Sequence, residues 1–208
     1  MTHTLSSLTD DVEALLKDPS NTYFSTDEIQ DAIEWCLTEV NRVYHQREDT
    51  TIDDVEDTRE YSLSSITGLV AVTEVWWPWD ASDPTYPPPR VHWFMLDDDT
   101  LYLDVDDDPD GTEDLRIFYT KDHTIEGLDG ASSTTLDDYA CELLAIGAAG
   151  RVVLGQGREA IDTINVSVEV AGDWEAWGRG RLEEFRRGLE GLRGREIGRS
   201  GDARVSWG

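Results

Sequence analysis

"YSLSSITGLVAVTEVWW" spans Tyr61 to Trp77. Two runs across it, "REYSLSS" (Arg59 to Ser65) and "GLVAVTEVWW" (Gly68 to Trp77), alternate small polar residues with Leu, Val and Trp, which is the period of strands with one buried face. The same alternation returns in "RVHWFML" (Arg90 to Leu96) and "LYLDV" (Leu101 to Val105). These two flank "DDDT" (Asp97 to Thr100) and read as a hairpin. "DLRIFYT" (Asp114 to Thr120) is a further strand. About five strands are therefore expected between residues 59 and 121, joined by Asp, Gly and Pro turns.

On both sides of this region the apolar period lengthens to that of a helix. Leu5, Leu8, Val12, Leu15 and Leu16 make a first stripe. "DPSN" (Asp18 to Asn21) breaks it. Ser25 with Glu28 forms a capping box. The helix that follows carries Ile29, Ala32, Ile33, Cys36, Leu37, Val40 and Tyr44 on one stripe, and is expected to run to about His45, about 30 Å at 1.5 Å per residue. Helix resumes in "TTLDDYACELLAIGAAGRVVLGQ" (Thr134 to Gln156), with Thr135 and Asp138 resembling a second capping box. Ala145, Gly147, Ala148, Ala149 and Gly150 imply close helix packing. "IDTINVSVEV" (Ile161 to Val170) alternates like a strand but sits where a helix or linker is expected. A final helix is expected over Trp174 to Leu192, with Trp174, Trp177, Leu182, Phe185, Leu189 and Leu192 on one side.

The expected fold is α+β. A bundle of about four helices is interrupted by a small antiparallel β region. The boundaries are 1–58 for the first helices, 59–122 for the β insertion with its Trp/Pro-rich loop, 123–192 for the later helices, and 193–208 for a flexible Arg-rich tail.

The charge is strongly one-sided. The 208 residues hold 45 Asp plus Glu against 17 Lys plus Arg, for a formal net charge of -28. Only Lys17 and Lys121 are lysines. A disordered acidic tail does not fit, because the charges are interleaved with Trp, Tyr, Val and Leu. Mimicry of nucleic acid needs no depletion of lysine. Adaptation to molar salt fits both features: the Debye length there falls to about 3 Å, so neighbouring carboxylates barely repel. The sign reverses at the C-terminal end. Residues 178–208 carry eight Arg against five acidic residues, a net of +3, which leaves -31 on residues 1–177.

Chemistry-bearing motifs are few. Asp106, Asp108 and Asp110, followed by Gly111, reproduce the first half of a calcium loop, D-x-D-x-D-G. Ile117 stands where the bidentate glutamate belongs, and strands flank the motif, so a hydrated turn with weak cation affinity is expected. A two-metal nuclease pattern, with a lysine two residues after an acid, fails because Lys121 follows Tyr119 and Lys17 follows Leu15. His3, His45, His92 and His123 are scattered, and no nucleophile elbow or glycine-rich phosphate loop is found. Cys36 and Cys141 lie on apolar helical faces and are expected as buried free thiols, with no ligand spacing and no disulfide framework. Asn165 opens an N-V-S sequon, a triplet that arises often by chance. No catalytic constellation, cofactor site or membrane span emerges, and the N-terminus lacks the basic segment of a signal peptide. The expectation is a protein that is not an enzyme.

The stretch from Val75 to Phe94 concentrates four of the eight tryptophans and five of the seven prolines. The prolines at 78, 84, 87, 88 and 89 argue against a continuous central strand and for a long connection between Val75 and Arg90. Its aromatics can close a small core or form a contact surface, since Trp, Tyr and Arg supply most interface hot spots. Trp76 or Trp77 is expected inside, with Trp79 and Tyr86 outward.

The order of these segments resembles the head–tail adaptor, or connector, proteins of tailed phages and tailed archaeal viruses. The residues that carry the resemblance are "EIQDAIEWCLTEVNR", then "YSLSSITGLVAVTEV", "PPPRVHWFML", "LRIFYTKDHTI" and "STTLDDYACELLAIGAAGRVVL", between about residues 22 and 157. The resemblance implies a virion protein of the head–tail junction, assembled in the host cytoplasm. It implies a homo-oligomeric ring, commonly twelve-fold, under the portal protein and next to tail or neck completion proteins. DNA would pass through its channel without specific binding. It also implies a C-terminal segment that docks into the portal, with Arg195, Arg199 and Arg204 pairing with carboxylates and Trp207 anchored in an apolar pocket. Two other classes compete: an acidic β module binding calcium or carbohydrate, and an inhibitor that mimics DNA.

Overall fold

The computed structural model describes residues 3–156 and 168–199. The chain divides into two compact units, one drawn from residues 1–45 and 123–208, the other from residues 46–122. The first is helical and the second is built of strands, so the α+β expectation holds.

The helical unit begins with α1 (Leu5–Leu16), capped by Thr4, whose hydroxyl accepts from the Ser7 N–H at 3.1 Å. The helix stops at Lys17, a residue in the left-handed region with φ 56°. Asp18 then organises the turn. Its buried carboxylate accepts from the backbone N–H groups of Thr22, Tyr23 and Phe24 at 2.9, 2.8 and 3.0 Å. Burial works against its charge, but these three donors hold the carboxyl below its usual range.

Helix α2 (Thr26–Asn41) starts from the expected Ser25–Glu28 capping box. Its stripe is buried throughout, from Ile29 to Val40 and on to Tyr44, although the helix ends four residues before His45. Helix α3 (Asp138–Gln156) is capped by Asp137, which accepts from the Ala140 N–H at 2.8 Å. Thr135, expected as the cap, instead accepts from the Thr124 N–H and sits 3.0 Å from His123 Nδ1.

Helix α4 (Val168–Arg199) is longer than its apolar stripe. Residues 193–199, expected as the start of a flexible tail, continue the helix, and Val168–Val170 of the ambiguous segment belong to its first turn. Residues 161–167 and 200–208 lie outside the described residues. The core joins α1 and α2 to α3 and α4 through side chains such as Leu8, Ile33, Leu144, Phe185 and Leu192. Small residues set the spacing. A Cβ on Gly147 would stand 2.7 Å from Phe185 Cγ, and one on Gly150 only 2.9 Å from the Gly178 carbonyl oxygen.

The β unit holds six strands. They are β1 (Gln46–Asp53), β2 (Glu60–Ser62), β3 (Leu69–Trp79), β4 (His92–Met95), β5 (Thr100–Asp104) and β6 (Asp114–Lys121). Two three-stranded antiparallel sheets form, in the orders β1-β6-β3 and β2-β5-β4. Val72, Val75, Leu115 and Ile117 from the first sheet share one core with Tyr61, Leu101 and Leu103 from the second.

Two expectations change here. The β unit starts at Gln46 and not at residue 59, because β1 is an edge strand whose "QREDTTID" has almost no apolar alternation to read. Strand β3 also continues through Pro78 to Trp79. It lies on the other edge of the same sheet, where proline's missing N–H breaks no ladder.

Candidate interaction surfaces

The tryptophan-rich stretch is divided between the two faces of the β1-β6-β3 sheet. Trp77 packs against the core, and its indole N–H reaches Asp54 Oδ2 at 3.3 Å. The register between β3 and β6 slips between Trp76, opposite Arg116, and Trp79, opposite Asp114. That bulge brings Trp76 and Trp79 together, with ring centroids 5.3 Å apart. Phe118 joins them 4.5 Å from Trp76.

The Arg116 guanidinium lies over all three rings at 5.0–5.4 Å and donates to Asp49 at 2.8 Å. Trp79 is therefore buried at 5% exposure, contrary to the expected outward position: the bulge turns it onto Trp76 and Arg116. Tyr86 is outward as expected, at 72% exposure. Glu74 fixes one end of the cluster, accepting from Trp76 Nε1 at 2.6 Å and from Arg90 Nε at 2.5 Å.

The acidic motif closes on an arginine. Arg59 donates from Nε to Asp108 Oδ1 at 2.6 Å, and from its terminal nitrogens to the carbonyl oxygens of Val105 and Asp106 at 2.6 and 3.3 Å. Asp110 turns away and caps the next turn, accepting from the Thr112 N–H at 3.0 Å. Gly111 holds φ 77°, which this turn requires. The structure therefore does not bring Asp106, Asp108 and Asp110 together around one point.

Asp110 instead meets Asp54 and Glu113, whose carboxylate oxygens lie within 4.8 Å of one another. Burial raises the Glu113 carboxyl above its ordinary range, helped by Asp110 and Asp54. Three such oxygens fall short of the six to eight that calcium takes. Asp54 is already engaged by Trp77 and by the Glu113 N–H at 3.3 Å. The sequence motif missed Arg59 and Asp54 because both lie nearly fifty residues or more before their partners in the chain.

At the C-terminal end, Arg195 sits on α4. Its guanidinium lies 4.6 Å above the Tyr139 ring and 3.4 Å from Asp137 Oδ2. It is thus held by its own fold, where the sequence reading gave it to a partner. Arg199 ends α4, and Arg204 and Trp207 fall outside the described residues. Both cysteines are free and buried, as expected. Among the described residues no helix is long and apolar enough to cross a membrane.

No protein-family model matches the chain, and no curated protein matches it. Among solved structures, the chain is similar to one in the neck of a native gene transfer agent particle computed with C12 symmetry. That likeness has 12% identity over 82% of this chain and 86% of the other, at a TM-score of 0.30.

Proposed function

We propose that this chain is a structural subunit of the head–tail junction of a tailed virus particle. In this reading it is an adaptor that forms a ring beneath the portal protein and continues the DNA channel towards the tail. The observation that carries the reading is the order of elements. A helical unit is interrupted at residues 46–122 by antiparallel strands and resumes with an Ala/Gly-rich helix, the layout that the segment-by-segment resemblance implies.

A ring subunit needs two different, complementary surfaces. Apolar side chains exposed in several places, including Tyr23, Phe94, Tyr139 and Trp174, are available for them. The charge suits a DNA conduit, because channel walls drawn from a body of net -31 repel phosphate, and a duplex slides without sticking. No catalytic step is assigned to the chain, and its working medium is molar salt.

The reading is tested by the mass of the purified chain in solution at molar salt, with and without the portal protein. A ring, or a complex formed on adding portal, supports it. A monomer under both conditions overturns it.

A further inference from the structure

The helical unit carries an apolar groove. Leu15 from the end of α1, Tyr23 and Phe24 from the turn organised by Asp18, Val153 from α3, and Trp174 and Trp177 from α4 line a cleft of about 510 Å³. That volume lies within the range of about 300–1,000 Å³ typical of sites that enclose a small ligand, and it admits an indole ring. Leu15, Tyr23 and Trp174 are 39%, 58% and 44% exposed, so large apolar side chains meet water here in one place. Such clustering marks a docking surface, whereas scattered exposed apolar residues do not. Lys17 and Asp173 stand at the rim, and neither has an ion-pair partner among the described residues.

We propose that this groove receives the C-terminal segment of a second copy of the chain, with Trp207 as the anchor. The segment "DARVSW" (Asp202 to Trp207) places Val205 and Trp207 on one face when extended, because side chains two apart point the same way. Asp202 and Arg204 carry charges opposite to those of Lys17 and Asp173 at the rim.

The length of chain decides between the molecule's own tail and a neighbour's. From Trp177, the groove residue nearest the end of α4, to Arg199 the helix is continuous, and 22 steps of 1.5 Å carry the chain about 33 Å from the groove. Only eight residues separate Arg199 from Trp207, and even fully extended they span at most about 29 Å. Even a fully extended tail leaves the chain's own backbone about 4 Å short of the groove, whereas a neighbour's tail can enter it without such stretching. Tail into groove is a heterologous contact, the kind that closes rings. The inference goes beyond the adaptor reading by naming how one subunit holds the next. It requires self-association but not the portal.

Two chains, each with one added cysteine, test it. One carries Tyr23→Cys at the rim and the other Ser206→Cys in the tail; they are mixed in molar salt and treated with a short bismaleimide. The native thiols stay silent because both are buried, and burial raises Cys141 to about 12 and Cys36 further. The expected result is a crosslinked heterodimer of the two variants that is lost when the Ser206→Cys chain also carries Trp207→Ala. Thermal melts of each variant confirm that the fold is intact.

Oligomers that form without this crosslink overturn the inference and leave the ring reading standing. A crosslink that survives Trp207→Ala overturns the anchor. A product within one chain, from the variant bearing both cysteines at high dilution, overturns the trans geometry. Crosslinking of Ser206→Cys to added portal in place of Tyr23→Cys assigns the tail to the portal and also overturns it. Monomers alone overturn both readings.

Discussion

Replacing Gly150 with alanine isolates how closely α3 and α4 approach. The new Cβ would lie 2.9 Å from Arg181 Cβ, 2.9 Å from the Gly178 carbonyl oxygen and 3.0 Å from the Leu182 nitrogen. Two of these three atoms are backbone, so no side-chain rotation relieves the overlap and the helices must separate. Overpacking of this kind costs about 1–3 kcal/mol, and the fixed backbone places it near the upper end. Alanine recovers about 1 kcal/mol of helix propensity relative to glycine. The net loss is about 2 kcal/mol, or a fall in melting temperature of about 4–8 °C for a chain of this size.

Gly180→Ala is the control on the same helix. A Cβ there meets nothing within 4 Å, so the propensity gain stands alone and the melting temperature rises by about 2–4 °C. Both variants are melted in molar salt and followed by circular dichroism. A Gly150→Ala protein that melts at or above the parent temperature would refute the close packing of α3 on α4.

Other outcomes follow from the same structure. The net charge of -28 predicts a melting temperature that climbs with ionic strength, and an unchanged melt between low and molar salt would sink the halophilic reading. Because Arg59 occupies the acidic turn, calorimetry with calcium should show binding no tighter than the millimolar range, and micromolar binding would contradict the assignment. Burial lowers the His123 imidazole from 6.5 to about 4, so between those values the unfolded chain binds the proton and the folded chain does not. Stability contributed by neutral His123 is therefore complete above about pH 6.5 and lost as pH falls through 4, on the order of 3 kcal/mol in all. Denaturation of parent and His123→Gln at pH 7 and 4.5 in molar salt reads the difference, and an equal loss in both would dismiss His123 as the cause.

The sequence was most readable where a single face is buried. The stripe of α2 from Ile29 to Val40 and the hairpin of β4 and β5 each carry a clean apolar period, and both stand as expected. Strand β1 was illegible because an edge strand with the pattern "QREDTTID" earns its place through its backbone pairing with β6. The end of α4 was hidden for a related reason: past Leu192 it has little apolar surface, yet Arg195 binds back onto Asp137 and Tyr139. Trp79 was misplaced because strict alternation cannot register a bulge. The groove had no local signature at all. Its walls come from α1, the Asp18 turn, α3 and α4, and only the folded helical unit assembles them.

The adaptor reading itself is tested most directly by electron micrographs of the purified chain mixed with portal protein in molar salt. The account predicts closed rings of this chain stacked coaxially on the portal, with the channel continuous through both. Dispersed monomers beside undecorated portal rings would contradict it.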